Sequence, residues 1–262
     1  MVFGVPHNWD WLVLRGEAQS RPLCGLSILP INLIKKKSMA MLPVSCRSIC
    51  TIVVNHFHEI IPIVANFIVL FGGLLMFHVL FSQRSVPSYA AISLILPWIK
   101  VGSLFVNSWT QSSTILVSQR LGKNDLKAIP NLVSQSIFVS IIMCVIMVIG
   151  FYLFSLFIPY VFEELSTETI TALAIIAPVY ILIPVFRVNN MFCGNMIRAM
   201  GESYAIVRFN IITQWLIALP TCALLIYLDA PLFLVFGVIL MDEILKFIPF
   251  RNIMARKLNS YV

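Results

Sequence analysis

SVPSYAAISLILPWIKVGSLFVNSWTQSSTILVSQRLGKND, residues 85–125, is apolar for long enough to cross a bilayer, yet it carries Lys100 near its middle. A charge at that depth costs about 2.5–3.5 kcal/mol even on insertion scales, so an intramembrane lysine normally faces a bundle interior or a wet cavity and marks function. From Lys100, steps of three or four lead to Ser103, Asn107, Gln111, Thr114 and Ser118, which helical spacing holds on one face. Leu104, Phe105, Val106, Trp109, Ile115 and Leu116 fall elsewhere, where they can meet lipid or other helices. Polar residues also bind helices together in membrane bundles. A stripe of six that includes a cation fits a water-accessible wall better.

The rest of the chain has the same character. Of its 262 residues 60% are hydrophobic and 11% charged, against roughly 25% charged in soluble domains, and the mean hydropathy is +0.94. These values describe an all-α integral membrane protein whose first partner is the lipid bilayer. The net charge of +7 is no nucleic-acid footprint, because the lysines and arginines lie between apolar runs rather than on one polar face. Six cysteines show no CxxC pair, and Cys144, Cys193 and Cys222 read as small buried residues. His56 and His58 lack the HExxH spacing of a helix-borne zinc site. No metal or cofactor is implied.

Two regions follow: residues 1–55, an interfacial or cytoplasmic lead-in, and residues 56–262, with six spans. In the lead-in the apolar piece Leu23 to Ile34 is too short to span, and Lys35 to Lys37 follow it where a signal peptide would carry its charge in front. The spans are expected at about 60–81, 86–117, 132–158, 170–197, 209–228 and 231–250. Pro97 should kink the second one turn before Lys100. The fourth starts after the acidic loop EELSTE and contains Arg187; Asp242 and Glu243 interrupt the sixth, where Lys246 is placed to pair with Asp242 at helical spacing.

The charges of the connections set the orientation. Lys35, Lys36, Lys37 and Arg47; Arg120, Lys123 and Lys127; Arg198 and Arg208; and Arg251, Arg256 and Lys257 all fall on one side of a six-span path. The other side holds Arg84 alone. The expected protein is therefore multi-pass in the cell membrane, with both termini cytoplasmic.

The second and fourth spans echo one another. LPWIKVGSLFVN (Leu96 to Asn107) and IPVFRVNNMFCGN (Ile183 to Asn195) each contain a proline, a cation three residues on, then valine, a phenylalanine eight after the proline, and a closing asparagine. From Arg187 the offsets that gave Ser103, Asn107 and Gln111 give Asn190, Gly194 and Arg198. Lys100 and Arg187 then lie about 14 and 17 residues into their spans, roughly 4–5 Å apart in depth. Two cations at similar depth predict a shared cavity lined by Lys100, Ser103, Asn107, Gln111, Arg187 and Asn190. With no acid expected at the centre of a span, their counter-charges should come from substrate, water or another protein.

VSQRLGKND (Val117 to Asp125), NMIRAMGES (Asn195 to Ser203) and QWLIALP (Gln214 to Pro220) resemble, in order and spacing, the C-terminal half of multidrug and toxic compound extrusion (MATE) transporters. The resemblance covers roughly Ile60 to Lys257, and gives Arg120, Gly122, Arg198, Gly201 and Pro220 structural roles in its motifs. It implies one six-helix lobe of a secondary active exporter, half of a protein that exchanges small organic substrates for an ion, proton or sodium, by alternating access. A second six-helix lobe would be its partner. The acids that bind sodium in some members fall near Leu70 and near Arg187 or Asn189 here, so none is carried over.

Two other activities compete. A flippase for an anionic lipid-linked saccharide would suit Lys100 and Arg187. A membrane transferase or protease would need clustered acids or a Ser/Lys dyad, and Lys100 with Ser103 has no further partner; the chain is not expected to be an enzyme. A third alternative is a truncated or mis-started reading frame without function, which would account for the unmatched residues 1–55.

Overall fold

Lipid offers no hydrogen-bond partner to a bare peptide group, so an apolar stretch at bilayer depth must satisfy its own backbone as a helix. A computed structural model describes residues 46–162 and 165–261. The expectations for residues 1–45 lie outside the described residues. Helices α1 (Cys46–Phe81), α2 (Val86–Gly122), α3 (Ile129–Val161) and α4 (Thr167–Ala199) are followed by α5 (Ser203–Asn210), a π-helical segment (Ile211–Ala218) and α6 (Leu219–Tyr227), and then by α7 (Leu232–Asn259). The stretch Ser203–Tyr227 is one continuous rod, so the described chain forms six rods. Five of them are long and apolar enough to cross a membrane, and α7 is excluded from that set by its charges.

Most rods outrun the expected spans, because helices extend past the hydrocarbon once polar residues can follow. The largest difference is at the start, where α1 begins at Cys46 and takes in ten residues assigned to the lead-in. Pro97 lies inside α2, which continues helical through it. Pro220 has a clearer effect. Lacking an N–H and clashing with the carbonyl four residues back, it follows directly on the widened π turn that ends at Ala218.

The turns gather by charge. Arg84, after α1, bonds Asp229 at 3.3 Å and the Ala230 carbonyl at 3.0 Å, tying the α1–α2 turn to the α6–α7 turn. Ser85 and Ser88 line a shallow cavity of about 410 Å³ with Thr167, Glu168 and Leu232, which brings the α3–α4 connection to that end. At the other end Lys257 pairs with Glu202 at 2.7 Å. There Leu121, Leu126, Met200, Leu258 and Tyr261 join one apolar cluster. The basic connections among the described residues thus share one end of the lobe.

Several helices close with a hydrogen bond from the third residue past the helix back to its last turn: Asp125 to Arg120, Glu202 to Ile197 and Ala230 to Leu225. The left-handed residue these turns require is Asn124 (φ 57°), Gly201 (φ 86°) or Asp229 (φ 49°). Gly201 therefore has its glycine for a conformational reason. Gly122 remains in helix α2, and the left-handed position after it falls on Asn124.

Two cores hold the rods. Ile92, Ile95 and Ile99 of α2, Ile176, Tyr180 and Ile183 of α4, and Val235 and Phe236 of α7 form the larger. Helix α1 leans on the end of α5 through Asn210 Nδ2 to Asn66 Oδ1 (2.6 Å) and on the π segment through Trp215 Nε1 to the Val69 carbonyl (3.0 Å). A Cβ on Gly73 would collide with Gln214 along most of that side chain. Gly73→Ala should therefore cost about 1–3 kcal/mol by overpacking, read as a lower unfolding midpoint in detergent. An unchanged midpoint would show that Gln214 swings aside freely.

Candidate functional site

The polar stripe of α2 lies where a helical wheel and the burial pattern together predict a wall. Ile99, Val106, Thr110, Ser113 and Val117 are buried. Trp109, on one flank of this seam, donates to the Ser136 carbonyl of α3 at 3.2 Å, and Gly102 faces Met147 and Phe151. The opposite flank carries the stripe: Ser103, Asn107 and Thr114 are half-buried, and Lys100, Gln111 and Ser118 are exposed. The Lys100 ammonium sits 4.7 Å from the centre of the Phe71 ring of α1, an attraction of about 0.5–1 kcal/mol at exposed sites. Ser103 donates to the Ile99 carbonyl of its own helix at 2.7 Å, so its proton is not directed to Lys100 as a dyad requires.

The equivalent face of α4 meets a different neighbour. Arg187 Nε donates to Glu243 Oε1 at 2.7 Å, Asn190 Nδ2 reaches Glu243 Oε2 at 2.9 Å and the Glu243 carbonyl at 2.7 Å, and Gly194 lets the Phe250 ring approach. All three contacts are with α7. The expectation that Arg187 must find its counter-charge outside the chain is therefore corrected. Glu243 is 56 residues away in sequence, and was read only as an interruption of its own span. Arg187 and Asn190 thus form part of the contact between α4 and α7.

Lys246, one turn further along α7, pairs with Asp242 at 2.5 Å, as its spacing predicts. Two acids and two bases thus lie together between α4 and α7, buried enough that their charges must neutralise one another. The Phe186 and Phe247 rings, 5.6 Å apart and edge to face, sit one residue from Arg187 and Lys246 in sequence. Of the mid-span cations Lys100, Arg187 and Lys246, Lys100 alone lacks a carboxylate partner among the described residues.

The family model for MatE matches residues 62–224, more than half of the chain. The chain belongs to the MatE family. No curated protein matches it. MatE proteins are membrane efflux transporters, and the all-helical fold with five apolar rods agrees with a lobe of that kind.

The motif residues named from the sequence have physical roles in the structure. Arg120 bonds Asp125 at 2.7 Å across the turn that Asn124 makes, holding the end of α2. Arg198 is half-buried and donates to Asn195 Oδ1 at 3.3 Å, while Asn195 Nδ2 donates to Thr110 at 2.8 Å. This chain ties α4 to α2 beside the stripe, since Thr110 in turn donates to the Asn107 carbonyl at 3.0 Å. Of the cysteines, Cys193 and Cys222 are buried, and the half-buried Cys144 points its thiol at the Pro184 carbonyl.

Proposed function

We propose that this lobe is half of a secondary active exporter that moves small organic compounds by ion antiport, with the α2 stripe as one wall of an alternating-access cavity. The observation that carries the reading is Lys100, without a carboxylate partner among the described residues and exposed with Gln111 and half-buried Asn107 on the flank of α2 away from α3. A second six-helix lobe covers that wall, since polar groups facing lipid are expensive. A second copy of this chain is a poorer cover, because it sets Lys100 against Lys100. The purified chain in liposomes should show no substrate-specific, gradient-driven uptake. Such uptake by this polypeptide alone would refute the two-lobe reading.

One observation favours a second substrate class. An exposed cation at mid-span, while Arg187 is neutralised by Glu243, suits an anionic compound such as a lipid-linked saccharide better than a cationic drug. Binding of pyrophosphate lipids rather than cationic dyes distinguishes a flippase from a drug exporter.

The domain division and the orientation belong to the same proposal: residues 56–262 are the lobe, and its basic end and both termini are cytoplasmic, as the positive-inside rule requires. On a cysteine-free background, a cysteine at position 164 should be labelled from outside and one at position 125 should not. The reverse pattern would invert the lobe.

A further inference from the structure

Asp242 is 7% exposed, and only one of its oxygens is accounted for. Oδ2 receives the Lys246 ammonium, whereas Oδ1 has no hydrogen-bond partner among the described residues. Thr213 of the π segment is the polar side chain beside this carboxylate, and its hydroxyl also lies within donating distance of the Phe209 carbonyl, 2.9 Å away. Nearby, Asn190 binds Glu243 through Nδ2 and leaves its buried Oδ1 without a partner as well. Buried orphaned acceptors call for a donor, and π-helical turns recur where function needs irregular backbone.

We propose that Asp242 is a proton-binding group of this lobe, and that its protonation is passed through Lys246 and Glu243 to Arg187. This rests on the reading of the lobe as an ion-coupled transporter. A metal ion fits worse, because the Lys246 ammonium already occupies Oδ2 and repels it. The charged groups that face Asp242 are Lys246 and Glu243 from α7 and, through Glu243, Arg187 from α4. With both acids ionised the four charges cancel. Adding one proton removes the partner of Lys246, whose charge already acts on Glu243. Glu243 must then serve two cations, and the one able to leave is Arg187, whose side chain is 27% exposed against 6% for Lys246. Proton uptake at α7 thereby loosens the joint between α7 and α4.

The test uses the full chain reconstituted in lipid, and needs no second lobe. Infrared difference spectra between neutral and mildly acidic pH should show the carbonyl stretch of a buried carboxylic acid, lost in Asp242→Asn. Hydrogen exchange in the α4 segment around Arg187 should rise on acidification of the native chain. In Asp242→Asn it should already be high at neutral pH. Should the single variant fail to fold, the doubly neutral Asp242→Asn/Lys246→Met variant must lose the same band. A band that survives in either variant, or acid-induced exchange equal in native chain and Asp242→Asn, overturns the proposal. A lost band from a chain that transports nothing with any second lobe would overturn the transporter reading alone.

Discussion

Glu243→Ala is expected to destabilise the lobe by about 3–5 kcal/mol, the usual consequence of stranding one member of a buried ion pair. Arg187 would lose its 2.7 Å partner, and Asn190 would lose one of its two bonds to Glu243. The Glu243 side chain is only 10% exposed, so little water replaces what is removed. The double variant Arg187→Met/Glu243→Met behaves differently. Removing both charges and refilling the volume is often neutral or stabilising by about 1–4 kcal/mol, so it should recover most of the loss. Equilibrium unfolding in detergent measures both. If the single variant unfolds at the native midpoint, or the double is as unstable as the single, the pair does not join α4 to α7 as its geometry indicates.

The same cycle shows what can and cannot be read along a chain. Lys246 and Asp242 are four residues apart on one helix, and local spacing alone predicts their contact. Arg187 and Glu243 are brought together by packing of two rods, and no local rule reaches across 56 residues. Periodicity fixed which residues share a face, on α2 and on α4 alike. It did not say what each face meets: the α2 face stays open beside α1, whereas Asn190 and Gly194 of α4 are covered by α7. The internal echo between the two spans is thus one of sequence, and it does not extend to environment. Charge had a similar double meaning. Asp242 and Glu243 lower the apolar character of α7, which makes its span hard to delimit, yet they are what the interior of the lobe uses to hold Arg187 and Lys246. The caps were half legible: glycine marks the left-handed turn at Gly201, but at the end of α2 the turn falls on Asn124, because asparagine tolerates that conformation and Gly122 comes too early.

Lys100→Leu should have the opposite signature, with folding preserved and transport lost. The lysine has the exposed Phe71 ring as its neighbour and no carboxylate among the described residues, so removing it forfeits about 0.5–1 kcal/mol of cation–π attraction. Against that loss, a leucine at mid-span avoids a charge penalty of about 2.5–3.5 kcal/mol on insertion scales. Insertion and thermal midpoint should therefore hold or rise, unlike the outcome for Arg187→Leu, which would strand Glu243. An anionic substrate group held by the ammonium would lose a charge-assisted hydrogen bond of about 1.5–3 kcal/mol, or roughly 10- to 100-fold in affinity. Lys100→Arg should retain most of it. In the assembled transporter, affinities for an anionic amphiphile and a cationic dye, measured in native, Lys100→Leu and Lys100→Arg forms, separate the readings. Loss confined to the anion places Lys100 on the substrate path for anions. Equal loss for both probes with an intact midpoint points to a part in opening and closing the cavity. A falling midpoint in Lys100→Leu would mean that the ammonium is structural, and that the wall of the cavity lies elsewhere in the lobe.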